Sequence, residues 1–399
     1  MDFTTLLAST ASREPDGRVI DVGSLWRRLA TVPDRRHAKG LRYPLGTLLL
    51  LVVLAKLAGQ DHPSAVADWI SARGDQLRAA LQLAWPRMPQ HNTYRRIFAE
   101  VVTPEELDRT VSAHLQSLPG VGHSLLVTMD GKTVRGTIDA MNPHGDHFLT
   151  AYLTEEGIVL LQMAVDRKEN EISVAPALLK CLDLRGKVVA GDALHTQRQL
   201  SVQIVEAGGD YLWIVKENQP TLRADIAQVF TGDDRTVLGG HVANDFQTSR
   251  TVEKGHGRRE TRAITVSSVL NGYSDWPGMA QVFRLERQRV HTMSGQETSE
   301  TVYGVTSLTN AKASPERLLS LVRAYWGIEN GLHYRRDVTF HEDRTRLTQG
   351  KAGQVMGSLN NLVIGLLRHA GATNLAAARR WYDANLTLAL SPLTASPIT

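Results

Sequence analysis

The hydrophobic and polar positions follow a helical period in the first third of the chain and a strand-like pattern after it. The longest apolar run, LLLLVVLA at 48–55, is far shorter than the roughly 18–20 residues that span a bilayer, so it predicts a buried helix. Apolar positions around Trp69 indicate a second helix. Asn92 can cap a third, whose Ile97 and Phe98 face inward. The pattern therefore predicts a helical N-terminal unit.

The middle of the chain predicts a mixed α/β core. Strand-like runs separated by turn residues lie at 125–129, 147–154, 157–165, 186–191 and 211–219, with helical segments before and after the fourth run. The predicted order is three antiparallel strands followed by a helix, a strand, a helix and a strand. This is the order of an RNase H-like core. In that fold the first and fourth strands are neighbours. Asp130 and Asp192, at the ends of these strands, would then face each other although 62 residues separate them.

The stretch around Asp130, LLVTMDGKTVRG, has two simpler interpretations. The Gly-Lys-Thr triplet at 131–133 suggests a phosphate-binding loop, but that motif needs a glycine where the chain has Leu126. Asp-Gly is also a common turn signal after a strand, and on this stretch alone a turn stays an open alternative. Other acidic residues close to Asp130 would favour a functional site over a turn.

Two facing carboxylates repel each other, and a divalent cation such as magnesium or manganese removes that cost. A third acid is expected from a helix packed on the sheet. Ser314 and Pro315 indicate the start of such a helix, and Glu329 lies inside it. His333 and Arg336 follow at plus four and plus seven on the same face, where they can hold a metal and phosphates. A surface charge stripe is the alternative.

The charge distribution leaves a polyanionic partner open. Against 41 Asp and Glu the chain has 45 Lys and Arg, a formal net charge of +4. Basic residues cluster at 24–44, including Arg35 and Arg36, and lie on the outer face of a predicted helix at Arg95 and Arg96. A helical module with a basic face suits a helix-turn-helix DNA reader that binds DNA by itself. A solvated charged face is equally open.

The cysteine content and the N-terminal sequence indicate the cellular compartment of the protein. The single cysteine, Cys181, excludes an internal disulfide framework and a cysteine-rich zinc site, and it suits a reducing cytosol. The N-terminal residues lack the basic-then-apolar order of a signal peptide. We therefore expect a soluble cytoplasmic protein with no membrane partner.

Six motifs in order give the sequence a specific resemblance. They are MDGKTVRG at 129–136, ENEI at 169–172, GDALHTQ at 191–197, KENQP at 216–220, HGRRETR at 256–262 and WGIENGLHYRRDVTFHEDRTR at 326–346. Together with the N-terminal DRRHAKGLRYPLGTLLLLVVLA, they make the chain resemble DDE-type insertion-sequence transposases, in the subgroup that includes the H-repeat-associated proteins. The resemblance runs from about residue 20 to about residue 370.

The resemblance implies a reaction, a cofactor and partners. It places the family's catalytic and metal-binding acids on Asp130, Asp192 and Glu329, with two Mg²⁺ or Mn²⁺ ions. Water would cleave the element end and release a 3′-OH, which the same site would then join to target DNA. The implied partners are double-stranded DNA and a second copy of the chain in the DNA complex. The implied location is the nucleoid in the bacterial cytoplasm.

The resemblance also implies DNA contacts and a domain order. The 137 residues between Asp192 and Glu329 imply a β-rich insertion in the RNase H-like core. Besides the four N-terminal arginines named above, the candidate phosphate contacts are Lys216, Arg258, Arg259, Arg262, Arg323, His333 and Arg336. The expected order is a tail at 1–22, a helical DNA-binding domain at 23–115, the core at 120–234 and 311–385, the insertion at 235–310, and a tail at 386–399.

Three positions around Glu329 depart from the wider group. Related families have a tyrosine seven residues before the glutamate, an arginine four before it and a lysine seven after it. This chain has Val322, Tyr325 and Arg336 there. Arg336 keeps the positive charge, and Arg323 can replace the missing arginine.

An active transposase is the expected function because no catalytic acid is lost. The alternatives are a nuclease of the same fold without strand transfer and an inactive or domesticated DNA-binding relic. The chain has no Gly-x-Ser-x-Gly elbow, which suits a reaction without a covalent protein intermediate.

Overall fold

The structure, a computed structural model, describes residues 20–37, 39, 41–231, 245–255 and 257–386. Most of the two expected tails, 1–19 and 387–399, therefore lies outside the described residues, as does the start of the expected insertion at 232–244.

The N-terminal region is helical, as its pattern predicts. Its helices are α1 (Val22–Leu29), α2 (Leu45–Leu57), α3 (Pro63–Ala72), α4 (Gly74–Leu81), α5 (His91–Arg96) and α6 (Pro104–Gln116). Every residue of α2 is buried, which explains why its sequence is apolar all round. The prediction that Asn92 caps a helix is wrong, since α5 begins at His91 and Asn92 lies within it.

In the part of the chain that the structure describes, one nine-stranded sheet forms the centre. Its strands are β1 (Leu126–Val134), β2 (Asp146–Leu153), β3 (Ile158–Val165), β4 (Val188–Gly191), β5 (Asp210–Val215), β6 (Gln247–Gly255), β7 (Arg258–Ser267), β8 (Gln281–His291) and β9 (Glu297–Thr306). The spatial order is β3-β2-β1-β4-β5-β9-β8-β7-β6. β1 to β3 are antiparallel, and β1, β4 and β5 are parallel neighbours. This is the predicted RNase H-like arrangement.

The β-rich segment continues the core sheet. β9 pairs antiparallel with β5, for instance at Trp213 and Val305, and β8, β7 and β6 follow as an antiparallel extension. The strands predicted in this segment are therefore present, and in the described residues they extend the sheet of the RNase H-like core.

Among the described residues, six more α-helices follow β1 in the chain, and all but the last pack against the sheet. They are α7 (Glu171–Lys180), α8 (Arg198–Glu206), α9 (Pro220–Thr231), α10 (Pro315–Tyr325), α11 (Ala352–His369) and α12 (Leu375–Ala384). α7, α8 and α9 cover the face that carries Val127 and Trp213. α10 covers the opposite face, which carries Leu126 and Leu212. Both faces of the parallel strands are thus buried, which explains their nearly continuous apolar runs.

The N-terminal helices share one hydrophobic core with the C-terminal helices. Leu51 of α2, Leu115 of α6 and Leu362 of α11 belong to the same buried cluster, which also reaches Leu332 and Phe340 near the candidate site. The sequence predicts an N-terminal unit that binds DNA by itself. The shared core argues against a unit that folds independently. Among the described residues, no helix has both the length and the apolar character needed to cross a bilayer.

Candidate active site

The sheet register brings Asp130 and Asp192 to neighbouring strands. Met129 of β1 pairs with Gly191 of β4, and each aspartate comes directly after these two residues. β1 does not end at Asp130, as the sequence pattern predicts, because it continues to Val134 and pairs Asp130 with Thr150 of β2. The turn interpretation is therefore wrong, and the carboxylate leaves the sheet from within a strand.

Glu329 comes from a helical segment with an unusual period. α10 ends at Tyr325, and Glu329 opens a π-helical turn, Glu329–His333. Ligand atoms of Asp130, Glu329 and His333 all lie within 4.8 Å of one another. His333 Nε2 is 3.2 Å from Asp130 Oδ2. The strand and the helical segment thus bring together two of the three predicted acids and the predicted histidine.

Arg336 lies elsewhere, and its predicted phosphate contact is wrong. The side chain is fully buried, where Nε donates to Glu342 (2.7 Å) and Nη1 donates to Gln162 (2.9 Å). The two successive π turns explain the error, since each turn holds more residues than an α-helical turn and moves the plus-seven position off the Glu329 face. The plus-four position, His333, stays beside Glu329.

Asp192 is held by the turn that follows it. Its Oδ1 accepts hydrogen bonds from Leu194 N and from His195 Nδ1, both at 2.9 Å. Burial raises the pKa of Asp192, but the hydrogen bond and charge of His195 and the Leu194 amide outweigh it, so the pKa is lowered overall. Asp192 therefore stays a carboxylate, oriented by a completely buried imidazole.

A fourth acid, Glu171, belongs to the same cluster. It begins α7, and its Oε1 accepts from His147 Nε2 at 2.9 Å, while Oε2 lies 3.5 Å from His195 Nε2. A Cβ on Gly131 would stand 2.0 Å from Glu171 Oε1, so the glycine after Asp130 makes room for this carboxylate. The sequence signal was the ENEI motif, to which the spacing alone assigns no role.

The buried Tyr325 feels the negative charge of all four acids. Burial raises the pKa of the Tyr325 hydroxyl, and the negative charges of Asp130, Asp192, Glu171 and Glu329 raise it further. The tyrosine is thus neutral and lies in the negative field of the four carboxylates. The sequence marked this position only as a departure from the arginine of related families.

The KENQP motif supports the turn behind Asp192. Asn218 Nδ2 donates to Ala193 O (2.5 Å) and Gln219 Nε2 donates to Thr196 O (2.9 Å). Lys216 is exposed and follows β5 directly, at the same edge of the sheet as Asp192. The motif therefore combines two structural amides with a lysine that can face DNA.

A cleft of about 840 Å³ opens beside Glu329, between α10 and the strands β6 to β8. Six arginines and three glutamates line it: Arg250, Arg258, Arg262, Arg287, Arg289, Arg323, Glu260, Glu316 and Glu329. We call it the arginine cleft. Arg258 and Arg262 were predicted to meet DNA, whereas Arg259 alternates to the other face of β7 and is not part of the lining. Arg250, Arg287 and Arg289 were missed, although the alternation in QVFRLERQRV places the last two on one face.

Buried Glu260 organises the arginine cleft. It accepts from Arg289 Nε at 3.0 Å and lies 2.8 Å from Arg262 Nη2 and 3.7 Å from Arg287 Nε. The Arg287 guanidinium also stacks 4.3 Å from the ring centre of Trp326. One carboxylate therefore holds three guanidinium groups, of which Arg262 also pairs with Glu253 and Arg287 with Glu300.

Several other arginines that were predicted to contact DNA form ion pairs within the protein. Arg323 pairs with Glu253 of β6 at the cleft wall. Arg36 is almost buried and bonds Asp34 and Tyr43 O, so its predicted DNA contact is wrong. Arg35 is half exposed and makes a bidentate pair with Glu106.

Arg95 and Arg96 are exposed, as predicted for the outer face of their helix. Arg95 lines a groove of about 430 Å³ together with the exposed Arg344 and Arg346, which follow the candidate site in sequence. The basic face of the N-terminal helices thus continues onto the C-terminal part of the chain.

The fold and this site define an RNase H-like enzyme that acts on phosphodiesters. A family model described as "Transposase DDE domain" matches residues 126–364, and one described as "DDE_Tnp_1-associated" matches residues 26–115. The chain therefore belongs to the DDE transposase family, and its function is that of a DNA transposase.

Relatives agree with this membership. The chain is 33% identical over 288 residues to an "Uncharacterized protein in dhlA 3'region" of Xanthobacter autotrophicus, covering 70% of this chain and 92% of that protein. It is 26% identical to the "H repeat-associated putative transposase YhhI" of Escherichia coli K12, covering 87% and 91%. A match to a solved piggyBac transposase synaptic complex with hairpin DNA covers 94% of this chain and 78% of that chain, at 10% identity and a TM-score of 0.43. The resemblance to H-repeat-associated transposases is confirmed.

Proposed function

We propose that this transposase cuts DNA at insertion-sequence ends and joins the resulting 3′-OH to target DNA, with Asp130, Asp192 and Glu329 as its catalytic acids. The observation that carries the proposal is the convergence of Asp130 and Glu329 within 4.8 Å, in a chain of the DDE family, at the mouth of the arginine cleft. Acids of this kind beside a groove rich in guanidinium groups suit a phosphodiester substrate.

The donor set suits a divalent metal ion, which DDE transposases generally use. Asp130 and Glu329 supply the hard oxygens that Mg²⁺ and Mn²⁺ prefer, and Asp192 on the neighbouring strand supplies another. When bound, two such ions would activate the attacking oxygen and stabilise the leaving oxygen. We propose Mg²⁺ or Mn²⁺ as the ion and two ions per site.

The chemistry uses two displacements at phosphorus. In the first, a water oxygen attacks the phosphodiester at the element end, and the bond to the 3′ oxygen breaks, leaving a 3′-OH and a 5′-phosphate. In the second, that 3′-OH attacks a target phosphodiester, forms a new ester bond and releases a target 3′-OH. The role of the cleft arginines is to bind the DNA backbone and to align the phosphate beside Glu329.

The expected division of the chain follows from this assignment. We propose residues 23–115 and the exposed Arg95, Arg96 and Lys216 as further DNA contacts, 120–234 with 311–385 as the catalytic core, and 235–310 as the arginine-bearing insertion. Two copies would act on two element ends, in the bacterial cytoplasm at the nucleoid.

The test is incubation of the purified protein with Mg²⁺ or Mn²⁺ and DNA that carries the ends of its own element. We expect nicks at the ends with 3′-OH products, followed by joined product. Asp130→Asn and Glu329→Gln should remove both activities while leaving the circular dichroism spectrum unchanged. Cleavage of unrelated DNA without joining would favour the nuclease, and binding of the ends without any cleavage would favour the inactive relic.

A further inference from the structure

His333 is buried at the site without a hydrogen bond from the protein. Only 4% of the residue is exposed, and neither Nδ1 nor Nε2 has a hydrogen-bond partner among the described residues. Nε2 is 3.2 Å from Asp130 Oδ2, but the two groups are not aligned for a hydrogen bond. A buried polar group without a partner is unfavourable, so an imidazole in this position is explained if it binds a ligand.

We propose that His333 binds the divalent metal directly, as a nitrogen ligand beside Asp130 and Glu329. The inference rests on the proposed function and changes the role of His333 from a phosphate contact to a metal ligand. Metal ligands at about 2.1 Å and at right angles stand about 3 Å apart. The 3.2 Å between His333 Nε2 and Asp130 Oδ2 fits two neighbouring ligands of one ion.

The local backbone explains how a glutamate and a histidine reach one ion. Glu329 and His333 are the first and last residues of a π turn, which brings positions four residues apart to one side. Ile328 and Leu332, both buried, fix the turn in the hydrophobic core. The two ligands are therefore placed by a segment that packing holds in register.

The surroundings of Asp192 differ from those of Asp130. A buried imidazole, His195, also faces Asp192, but its Nδ1 donates a 2.9 Å hydrogen bond to that carboxylate. His195 therefore orients an acid through Nδ1, although its Nε2 has no hydrogen-bond partner among the described residues. Both His333 nitrogens lack such a partner and can bind a cation. One imidazole with two carboxylates favours Mn²⁺ over Mg²⁺, because nitrogen ligands raise affinity for transition metals.

The test measures nitrogen bound to the metal. Full-length protein is loaded with Mn²⁺ alone, without DNA, and studied by electron spin echo envelope modulation, which detects nitrogen coordinated to a paramagnetic ion. We expect ¹⁴N modulation that is replaced by the ¹⁵N pattern when only histidine is ¹⁵N-labelled. His333→Gln should lose the modulation and bind Mn²⁺ at least tenfold more weakly by calorimetry. His147→Gln, which changes a histidine bonded to Glu171, should keep the modulation.

Bound Mn²⁺ without nitrogen modulation in the wild-type protein would overturn the inference and leave the proposed function standing. Modulation that persists in His333→Gln would overturn it too, because the nitrogen would then come from another histidine. Absence of nitrogen modulation in the wild-type spectrum overturns the inference even if the variant fails to fold. Absence of Mn²⁺ and Mg²⁺ binding to the wild-type protein would overturn both the inference and the metal-dependent function.

Discussion

The Arg336 guanidinium lies in a closed polar cluster below the candidate site. Glu342 accepts from Arg336 and from Asn360, and Gln162 accepts from Arg336 and from Asn361. Burial raises the pKa of Glu342, but the charge and hydrogen bond of Arg336, together with Lys132 and Asn360, outweigh it, so the pKa is lowered overall and the carboxylate is ionised. The charge of Arg336 therefore serves the fold and is unavailable to DNA.

Arg336→Ala should lower the free energy of unfolding by about 3–5 kcal/mol, because it leaves the Glu342 carboxylate buried without its partner. Urea denaturation followed by circular dichroism measures this loss. Arg335→Ala is the matched control and should cost under about 1 kcal/mol, since Arg335 is partly exposed. Equal stability of the two variants would contradict the buried role of Arg336.

Asp108 of α6 makes stability depend on pH. Burial raises its pKa to about 7, although Ser358, Arg336 and Gln162 act in the opposite direction. The unfolded pKa is about 3.9, so the folded chain keeps a proton that the unfolded chain loses. Its stabilising contribution is complete below about pH 4 and is lost as the pH rises towards about 7.

Asp108→Asn should therefore flatten the fall in unfolding free energy between about pH 4 and pH 7, because asparagine cannot ionise. Denaturation curves across this range, for the wild type and the variant, give the difference. Glu105→Gln, which changes an exposed acid on the same helix, should keep the wild-type profile. Parallel profiles for the wild type and Asp108→Asn would show that Asp108 is not the titrating group.

The positions of single site residues could be predicted from the sequence where the order of strands or a sequence motif identifies them. Asp130 and Asp192 follow from neighbouring strands, and Glu329 from the motif. Glu171 could not be found in this way, because its place depends on how α7 packs beside Gly131. The burial of Arg336 also depends on distant Gln162 and Glu342, which no local pattern reveals.

Strands and helices differ in how well their period predicts side-chain direction. Alternation along β7 correctly separates Arg258 and Arg262 from Arg259. The α-helical period fails after Tyr325, where two π turns replace it. The sequence has no proline at this change of period, where Ile328 and Leu332 pack in the hydrophobic core and Gly327 and Gly331 lie close to Thr154 and Tyr152.

A comparison of Arg258→Ala with Arg259→Ala should show which face of β7 binds DNA. Arg258 lines the arginine cleft, so its loss should remove about one phosphate contact and reduce the slope of log affinity against log salt by about 0.9. Arg259→Ala should leave the slope unchanged. Titrations of duplex DNA at four salt concentrations measure both. A smaller slope for Arg259→Ala alone would place the DNA on the opposite face of the strand.

On the scale of the whole molecule, the N-terminal helices and the candidate site are parts of one structure. Arg379 of α12 donates to Lys56 O of α2, to Asp61 Oδ1 and to Thr339 O at the end of the second π turn. The Phe340 ring packs under the same guanidinium at 4.2 Å. The order of strands in the sequence predicts the sheet. The packing of the C-terminal helices against the N-terminal helices leaves no periodic pattern in the sequence.

A fragment of residues 20–116 should fail to fold by itself. Removing α11 exposes the apolar surface that packs on Leu359, Leu362, Val363 and Leu366, and each such side chain contributes about 1.5–3 kcal/mol. The sum, about 6–12 kcal/mol, is comparable with the whole stability of a typical domain. We expect weak helical circular dichroism and no cooperative thermal transition for the fragment, against a cooperative transition for the full chain. A fragment that melts cooperatively with native helix content would show an independent domain, and DNA binding by its Arg95 face could then be measured apart from the catalytic core.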